Sequence, residues 1–365
     1  MLIVDAHEDL AYNMLRFGRD YILAAAETRQ REGNQQTPAL VEDALLGWPD
    51  YQRGQVAVVF STLFAAPARV LSAEKDPLAY SDINQANQIY RQQLDIYHRL
   101  VDDVPDKFRL IESQTDLQKI LAGWQNPAPP ESEQAGQPVG LVILMEGAEG
   151  VRALSELEDW WARGLRIIGL AWAGNRFCGG TREPGALTKD GFALLEQMAG
   201  LGFCLDVSHV DEAAALQAVD VYPGTIIASH SNARAVLKGI EGNRHLTDRV
   251  ITALLERDAV IGVVPFNGFL QAGWRHGDRR ELVTLGHVLS QIDYICQLAG
   301  DAAHVGIGSD FDGGFGLQSV PAEIDTIADL QKLAPLLRER GYKEADIAAI
   351  FGGNWINTLR RFLPD

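Results

Sequence analysis

Six polar residues in this chain share one local habit: each closes a short apolar run. His7 and Asp9 follow LIVDA, Glu146 follows VGLVILM, His209 follows FCLDV, His230 follows TIIA and Asp310 follows VGIG. Three imidazoles and three carboxylates form a ligand set suited to zinc or a similar borderline divalent cation, and not to magnesium alone. His7 and Asp9 are two positions apart, so an extended strand points both the same way, toward one cation. Burying Asp9, Glu146 and Asp310 together is costly unless cations or protons offset their charge. Taken singly, each has a plainer reading. A His or Asp after a strand often serves as a cap, Glu146 before Gly147 can open a helix, and Asp310 and Asp312 in SDFDGG can form an Asx turn, the role assigned to Asp312. Ser208–His209 and Ser229–His230–Ser231 invite a serine nucleophile, but no GxSxG elbow occurs. His98, His245, His276, His287 and His304 are read as ordinary helix, loop or strand-start residues. The coincidence of six at run ends carries the metal reading.

Something must bring together residues more than 300 positions apart. The apolar runs supply it: Leu2–Ala6, Val56–Phe64, Val139–Met145, Leu165–Ala171, Phe203–Val207, Thr225–Ala228, Ala259–Pro265 and Val305–Gly308. Most are apolar throughout, the pattern of parallel strands covered on both faces. Between and after them, helical periodicity marks Tyr80–Val101, Leu187–Ala199, Ala213–Val219, Leu246–Glu256, Pro321–Arg340 and Lys343–Phe362. Eight strand–helix units predict a (β/α)₈ TIM barrel, with the carboxyl ends of all strands converging on one face. The alternative, an open doubly wound sheet, lacks a GxGxxG after the first strand and any GxxxxGK followed by Ser or Thr. Residues 17–54 read as an excursion over one end of the barrel. Residues 124–138, rich in Pro, Gln and Glu, read as a surface loop. Neither marks a domain boundary, so residues 1–365 are expected to form one domain.

Composition bounds the rest. The chain has 365 residues, 47% hydrophobic and 22% charged, which excludes wholesale disorder. Lys+Arg 32 against Asp+Glu 49 gives a net charge of −17, and nucleic acid or an anionic membrane needs a basic footprint instead. No run reaches the roughly 18 apolar residues of a membrane span. The opening MLIVDAHEDL has no basic n-region, so no secretory signal is expected. Cys178, Cys204 and Cys296 lack CxxC spacing and read as buried, reduced thiols of a cytoplasmic protein.

DAHEDL (Asp5–Leu10), MEGAEG (Met145–Gly150), LDVSHV (Leu205–Val210), ASHSNAR (Ala228–Arg234), GIGSDFDGG (Gly306–Gly314) and FGGNWINTLRR (Phe351–Arg361) together resemble the membrane (renal) dipeptidase family of the amidohydrolase superfamily. The resemblance spans essentially the whole chain. It implies a binuclear zinc site that hydrolyses dipeptides through a hydroxide shared by two cations. His7 and Asp9 match the ligands of one zinc, His209 and His230 those of the other, and Glu146 the carboxylate that bridges them. Asp310 matches the acid that holds the water, and Arg244 in GNRHLTD an arginine that grips the substrate carboxylate. It also implies a small-molecule substrate and, as often in the family, a homodimer. The tail LRRFLPD does not resemble the lipid-anchor signal of animal members. Two other activities stay open: hydrolysis of another small amide, an N-acyl amino acid or a lactone, and a barrel that binds without catalysis.

Trp172 departs from the family, which usually places a histidine there against the scissile carbonyl, and Phe266 stands where a tyrosine is common. An indole has one N–H donor and no charge, whereas loss of an oxyanion donor typically costs about 10²–10³ in rate. The wild type is expected to be slow on common L,L-dipeptides relative to members with the histidine, and Trp172→His to raise kcat/KM at equal metal loading. Fast wild-type turnover with a neutral or harmful Trp172→His would remove this role from the departure.

Overall fold

Apolar runs with no polar alternation have no face to offer water, and in the computed structural model they become strands buried on both sides. Residues 1–71, 76–125 and 136–365 are described. The strands are β1 (Ile3–Glu8), β2 (Val56–Leu63), β3 (Phe108–Leu110), β4 (Val139–Met145), β5 (Leu165–Gly169), β6 (Cys204–Asp206), β7 (Ile226–Ile227), β8 (Ile261–Val263) and β9 (Val305–Ile307). They pair in parallel in the order β7-β6-β5-β4-β2-β1-β9-β8. The ring closes where Ala228, just past β7, bridges Ile261 of β8: the Ala228 N–H donates to Val260 at 3.0 Å and the Gly262 N–H to Ala228 at 2.8 Å. This is the expected (β/α)₈ barrel. The eight anticipated strands are all present, each ending within a few residues of its apolar run.

One strand was not anticipated. β3 is three residues long and pairs with the first half of β4, at Val139–Leu141, while β5 pairs with the second half, at Ile143–Met145. Three residues with one exposed carry too little periodicity to read.

Inside the barrel, Val4, Phe60, Leu144, Ile167 and Ile227 pack in one cluster with Trp355 and Leu359 of the last helix. Gly352, at the start of that helix, abuts the main chain of Leu2 and Val4. The helix thus plugs the end of the barrel where the strands begin, and the opposite end is left for a site. Near that end the barrel is narrow. A Cβ on Gly262 or Gly308 would lie 1.8 or 1.9 Å from the Ser229 carbonyl oxygen, so both positions require glycine for the chain to close around the β7 end.

One loop expectation is corrected. Trp124 and Gln125 belong to the helix Gln114–Gln125, where the Trp124 indole donates to the Pro138 carbonyl at 2.8 Å; residues 126–135 of the expected loop lie outside the described residues. The 17–54 segment carries helices Ala25–Glu32, Thr37–Val41 and Trp48–Gly54. Pro321–Arg340 turns helical only from Ile327. Among the described residues no helix is long and apolar enough to cross a membrane.

The excursion is held by a buried ion cluster. The Arg19 guanidinium, its side chain fully buried, meets Asp312 Oδ2 at 3.1 Å and Glu32 through two contacts at 3.0 and 3.1 Å. Asp312 also accepts from Tyr21 Oη at 3.1 Å and the Leu45 N–H at 2.8 Å. Asp312 is therefore more than a turn residue: it anchors the excursion to the barrel. Arg19→Met would strand two buried carboxylates without their cation, and is expected to lower unfolding free energy by about 3–5 kcal/mol. Urea denaturation checks this, and a loss under about 1 kcal/mol would show that the cluster does not hold the excursion.

Candidate metal centre

The strand ends deliver the six polar residues to one place. His209 and His230 bring their Nε2 atoms within 2.9 Å of each other, and these lie 3.2 and 3.3 Å from Glu146 Oε1. His7 Nε2 lies 3.7 Å from Glu146 Oε2 and 3.8 Å from Asp310 Oδ1. The Asp310 N–H donates to the His7 carbonyl at 3.1 Å, so the ends of β1 and β9 are joined directly. Three overlapping trios have ligand atoms within 4.8 Å of one another: His7 with Asp9 and Glu146, Glu146 with His209 and His230, and His7 with His230 and Asp310. Glu146 belongs to the first two, as a carboxylate shared between two cations requires.

Surrounding hydroxyls fix how these groups point. The single Ser229 hydroxyl proton goes to Asp206 Oδ2, so Ser229 Oγ accepts from His230 Nδ1 at 2.8 Å. This tautomer leaves the Nε2 lone pair of His230 bare and aimed at the centre. Thr181 Oγ1 contacts His209 Nδ1 at 2.9 Å, and Thr62 donates to Asp9. His209 (φ +64°) and Asp310 (φ +58°) both adopt left-handed backbone, a strained geometry for residues with side chains and one that gathers at working sites.

Electrostatics follow from this crowding. Burial opposes protonation of His7, yet Glu146, Asp310 and Asp9 outweigh it and push the imidazole up to about 9. Burial pushes His209 down to about 4, with Arg244 adding to the effect, and lowers His230 well below the usual range. Burial raises Asp9 to about 6 and Asp310 well above its usual value, each helped by neighbouring carboxylates. Glu146 resists its own burial because three imidazoles face it, and it stays well below the usual range. His7 Nε2 is buried with no hydrogen-bond partner among the described residues, facing carboxylate oxygens too distant to bond directly. An N/O donor set with an orphaned nitrogen and a bare lone pair fits a divalent cation.

Above the centre opens a cavity of about 1100 Å³ whose lining includes Asp9, Glu146, Trp172, His209, Arg244 and Asp310. Arg244 donates to the His230 carbonyl at 2.7 Å and Ser231 Oγ at 3.3 Å, and its guanidinium lies 5.0 Å from the Phe269 ring centre. Its Nε is buried with no hydrogen-bond partner among the described residues. Trp172 faces the cavity, its ring 5.3 Å from Phe64 and 6.0 Å from His209. Phe266 packs 4.6 Å from Phe315 on the other wall.

Sequence reasoning missed the orienting residues. Asp206 offered a signal, an acid inside an apolar run, and it accepts from the Ser208 and Ser229 N–H groups at 2.9 Å each. Thr62 and Thr181 offered none, since a threonine in a strand or loop is unremarkable. Ser208, Ser229 and Ser231 are all buried among one another, consistent with setting the serine nucleophile aside.

A family model described as membrane dipeptidase, peptidase family M19, matches residues 1–362. An uncharacterized protein from the pqqA 5′ region of Klebsiella pneumoniae is 30% identical over 279 residues, covering 74% of this chain and 94% of that one. Dipeptidase aclJ of Aspergillus oryzae is 23% identical over 369 residues, covering 98% of this chain and 77% of that one. Among solved structures, a Rhodobacter sphaeroides metallopeptidase liganded with a phosphinate mimic of L-Ala-D-Ala aligns over 99% of both chains, with a TM-score of 0.76 and 23% identity.

The raised His7 pKa has a measurable consequence. Without metal the imidazole holds a proton at pH 7.5, because its value of about 9 lies above that pH, and an entering cation must displace it. Zinc titration of metal-free protein, followed by calorimetry in buffers of different ionisation enthalpy, is expected to release at least one proton per chain at pH 7.5. The release should fade as pH rises through about 9. No proton release at pH 7.5 would contradict the crowding of charge around His7.

Proposed function

The chain belongs to the membrane dipeptidase family, and from that membership we propose that it hydrolyses dipeptides at a centre of two zinc ions held by His7, Asp9, Glu146, His209 and His230. Bound there, the cations would polarise the scissile carbonyl and make water acidic enough to supply hydroxide near neutral pH. The rest falls to the protein. Asp310 shares a trio with His7 and His230 at the cavity floor, so its carboxylate is placed to take the proton of the attacking water and return it to the leaving amine. Its main-chain N–H, bonded to the His7 carbonyl, holds it there in left-handed backbone. Arg244 offers a guanidinium from the β7 side, already braced by the His230 carbonyl, to pair with the substrate's terminal carboxylate. Such a clamp selects dipeptides over longer chains only if the carboxylate lies one residue from the scissile bond.

One observation carries this reading: three overlapping ligand trios, two of them joined through Glu146, form the floor of a cavity that also presents Arg244. The test combines metal analysis with dipeptide turnover. Purified protein is expected to hold two metals per chain. Asp310→Asn should keep most of that metal while kcat falls by about 10²–10⁴, since an amide cannot accept the proton. Glu146→Gln should lose metal as well as activity. An Asp310→Asn enzyme with near wild-type turnover would remove Asp310 from the chemistry, and full metal in Glu146→Gln would remove the bridge.

A further inference from the structure

The cavity has two unlike walls, and the strand order says which part of a substrate each would meet. Arg244 reaches the centre from the β7 side, bonded to the carbonyl of His230. In the ring order, β1, β2, β4 and β5 make up the side away from it. There the lining is a continuous run of rings. Tyr12 meets Phe64 edge-to-face at 5.5 Å, Phe64 meets Trp172 edge-to-face at 5.3 Å, and Trp172 reaches to 6.0 Å from His209. All four residues line the cavity.

Hydrogen bonds brace this run, and its rings present carbon to the cavity beside the Arg16 guanidinium, 5.7 Å from the Tyr12 ring centre. Tyr12 Oη is taken up by Asp76 at 2.8 Å. The Phe64 main chain is held at both its N–H and its carbonyl by Gln93. Edge-to-face stacking at these spacings is the favoured geometry of aromatic pairs, and it leaves ring surface open to a further apolar partner. Space is not limiting, because about 1100 Å³ exceeds the usual range for small-molecule pockets.

A dipeptide whose carboxylate pairs with Arg244 must pass its scissile carbonyl over the ligand trios. One residue of extended chain spans about 3.3–3.6 Å, which carries its first residue across to the far side. We propose that the Tyr12–Phe64–Trp172 run is the specificity wall for the N-terminal side chain, and that it selects large apolar residues, aromatic ones best. This rests on the dipeptidase reading for the substrate's orientation. Trp172, where the family places a histidine, is on this account a side-chain selector.

The test compares Ala-Ala, Phe-Ala and Ala-Phe by kcat/KM in the zinc-loaded enzyme. Discrimination in apolar pockets runs to about 10–200-fold, and Phe-Ala is expected to exceed Ala-Ala by an amount in that range. In Trp172→Ala and Phe64→Leu, with metal content and circular dichroism as in wild type, the Phe-Ala to Ala-Ala ratio should fall about 10-fold. The Ala-Phe to Ala-Ala ratio should hold, because the C-terminal side chain meets the Phe266 side. Phe64→Leu keeps the test open if Trp172→Ala does not fold. Hydrolysis of all three without preference for Phe-Ala would overturn the wall and leave the dipeptidase reading standing, as would both ratios falling together. If no dipeptide is hydrolysed with full metal, the dipeptidase reading fails. Calorimetric binding of the same peptides then decides the wall: tighter Phe-Ala supports it, and equal affinities overturn it.

Discussion

Three carboxylates gathered at one end of a barrel, each with little of its surface exposed, set the terms for the rest of this structure. Two unit charges 4 Å apart repel by about 4 kcal/mol at an effective dielectric of 20, so Asp9, Glu146 and Asp310 cannot all stay ionised without compensation. Glu146 has three imidazoles turned to it, while Asp9 has Thr62 and a share of His7. Asp310 has a share of His7 and of Arg244, yet burial raises it well above its usual value. Most of what surrounds the centre follows from this inequality. Hydroxyls and main-chain N–H groups hold imidazole tautomers and the deeper Asp206, so that the lone pairs face the cavity and not each other's protons.

Asp310 and Asp312 show how position decides chemistry. Both are acids on left-handed backbone, at φ +58° and +60°, Asp312 buried and Asp310 partly exposed at the cavity. Their side chains reach different partners: one enters the ligand cluster, and the other enters an ion cluster with Arg19 and accepts hydrogen bonds from Tyr21 Oη and the Leu45 N–H. The same residue type thus joins the ligand cluster in one place and serves architecture in the other. The local sequence, SDFDGG, does not distinguish them.

The barrel was legible because parallel strands buried on both faces leave uninterrupted apolar runs, and the site because its residues end those runs. His7, Glu146, His209, His230 and Asp310 needed only that rule. Legibility failed where the signal was short or non-local. β3 is too brief for periodicity, and the partner of Asp312 is an arginine in another element with no pattern to announce it. Thr62 and Thr181 look like ordinary strand and loop residues until their neighbours are placed. Trp172 was visible as a departure, but its edge-to-face contact with Phe64 comes from the adjacency of β2, β4 and β5 and from nothing local.

The Arg19 cluster also orders events in time. Tyr21 and Asp312 are 291 residues apart, and Asn13, which donates to the Asp312 carbonyl, is 299 residues from it. A ribosome adding about 5–20 residues per second needs on the order of tens of seconds between the two ends. Throughout that interval the first helices lack this anchor, and Arg19 has only Glu32 of its two acidic partners. The last strand therefore completes the first loop, and Gln36, Ala39, Leu40 and Val41, which line the cavity, belong to a segment that gains its anchor only once Asp312 has been synthesised.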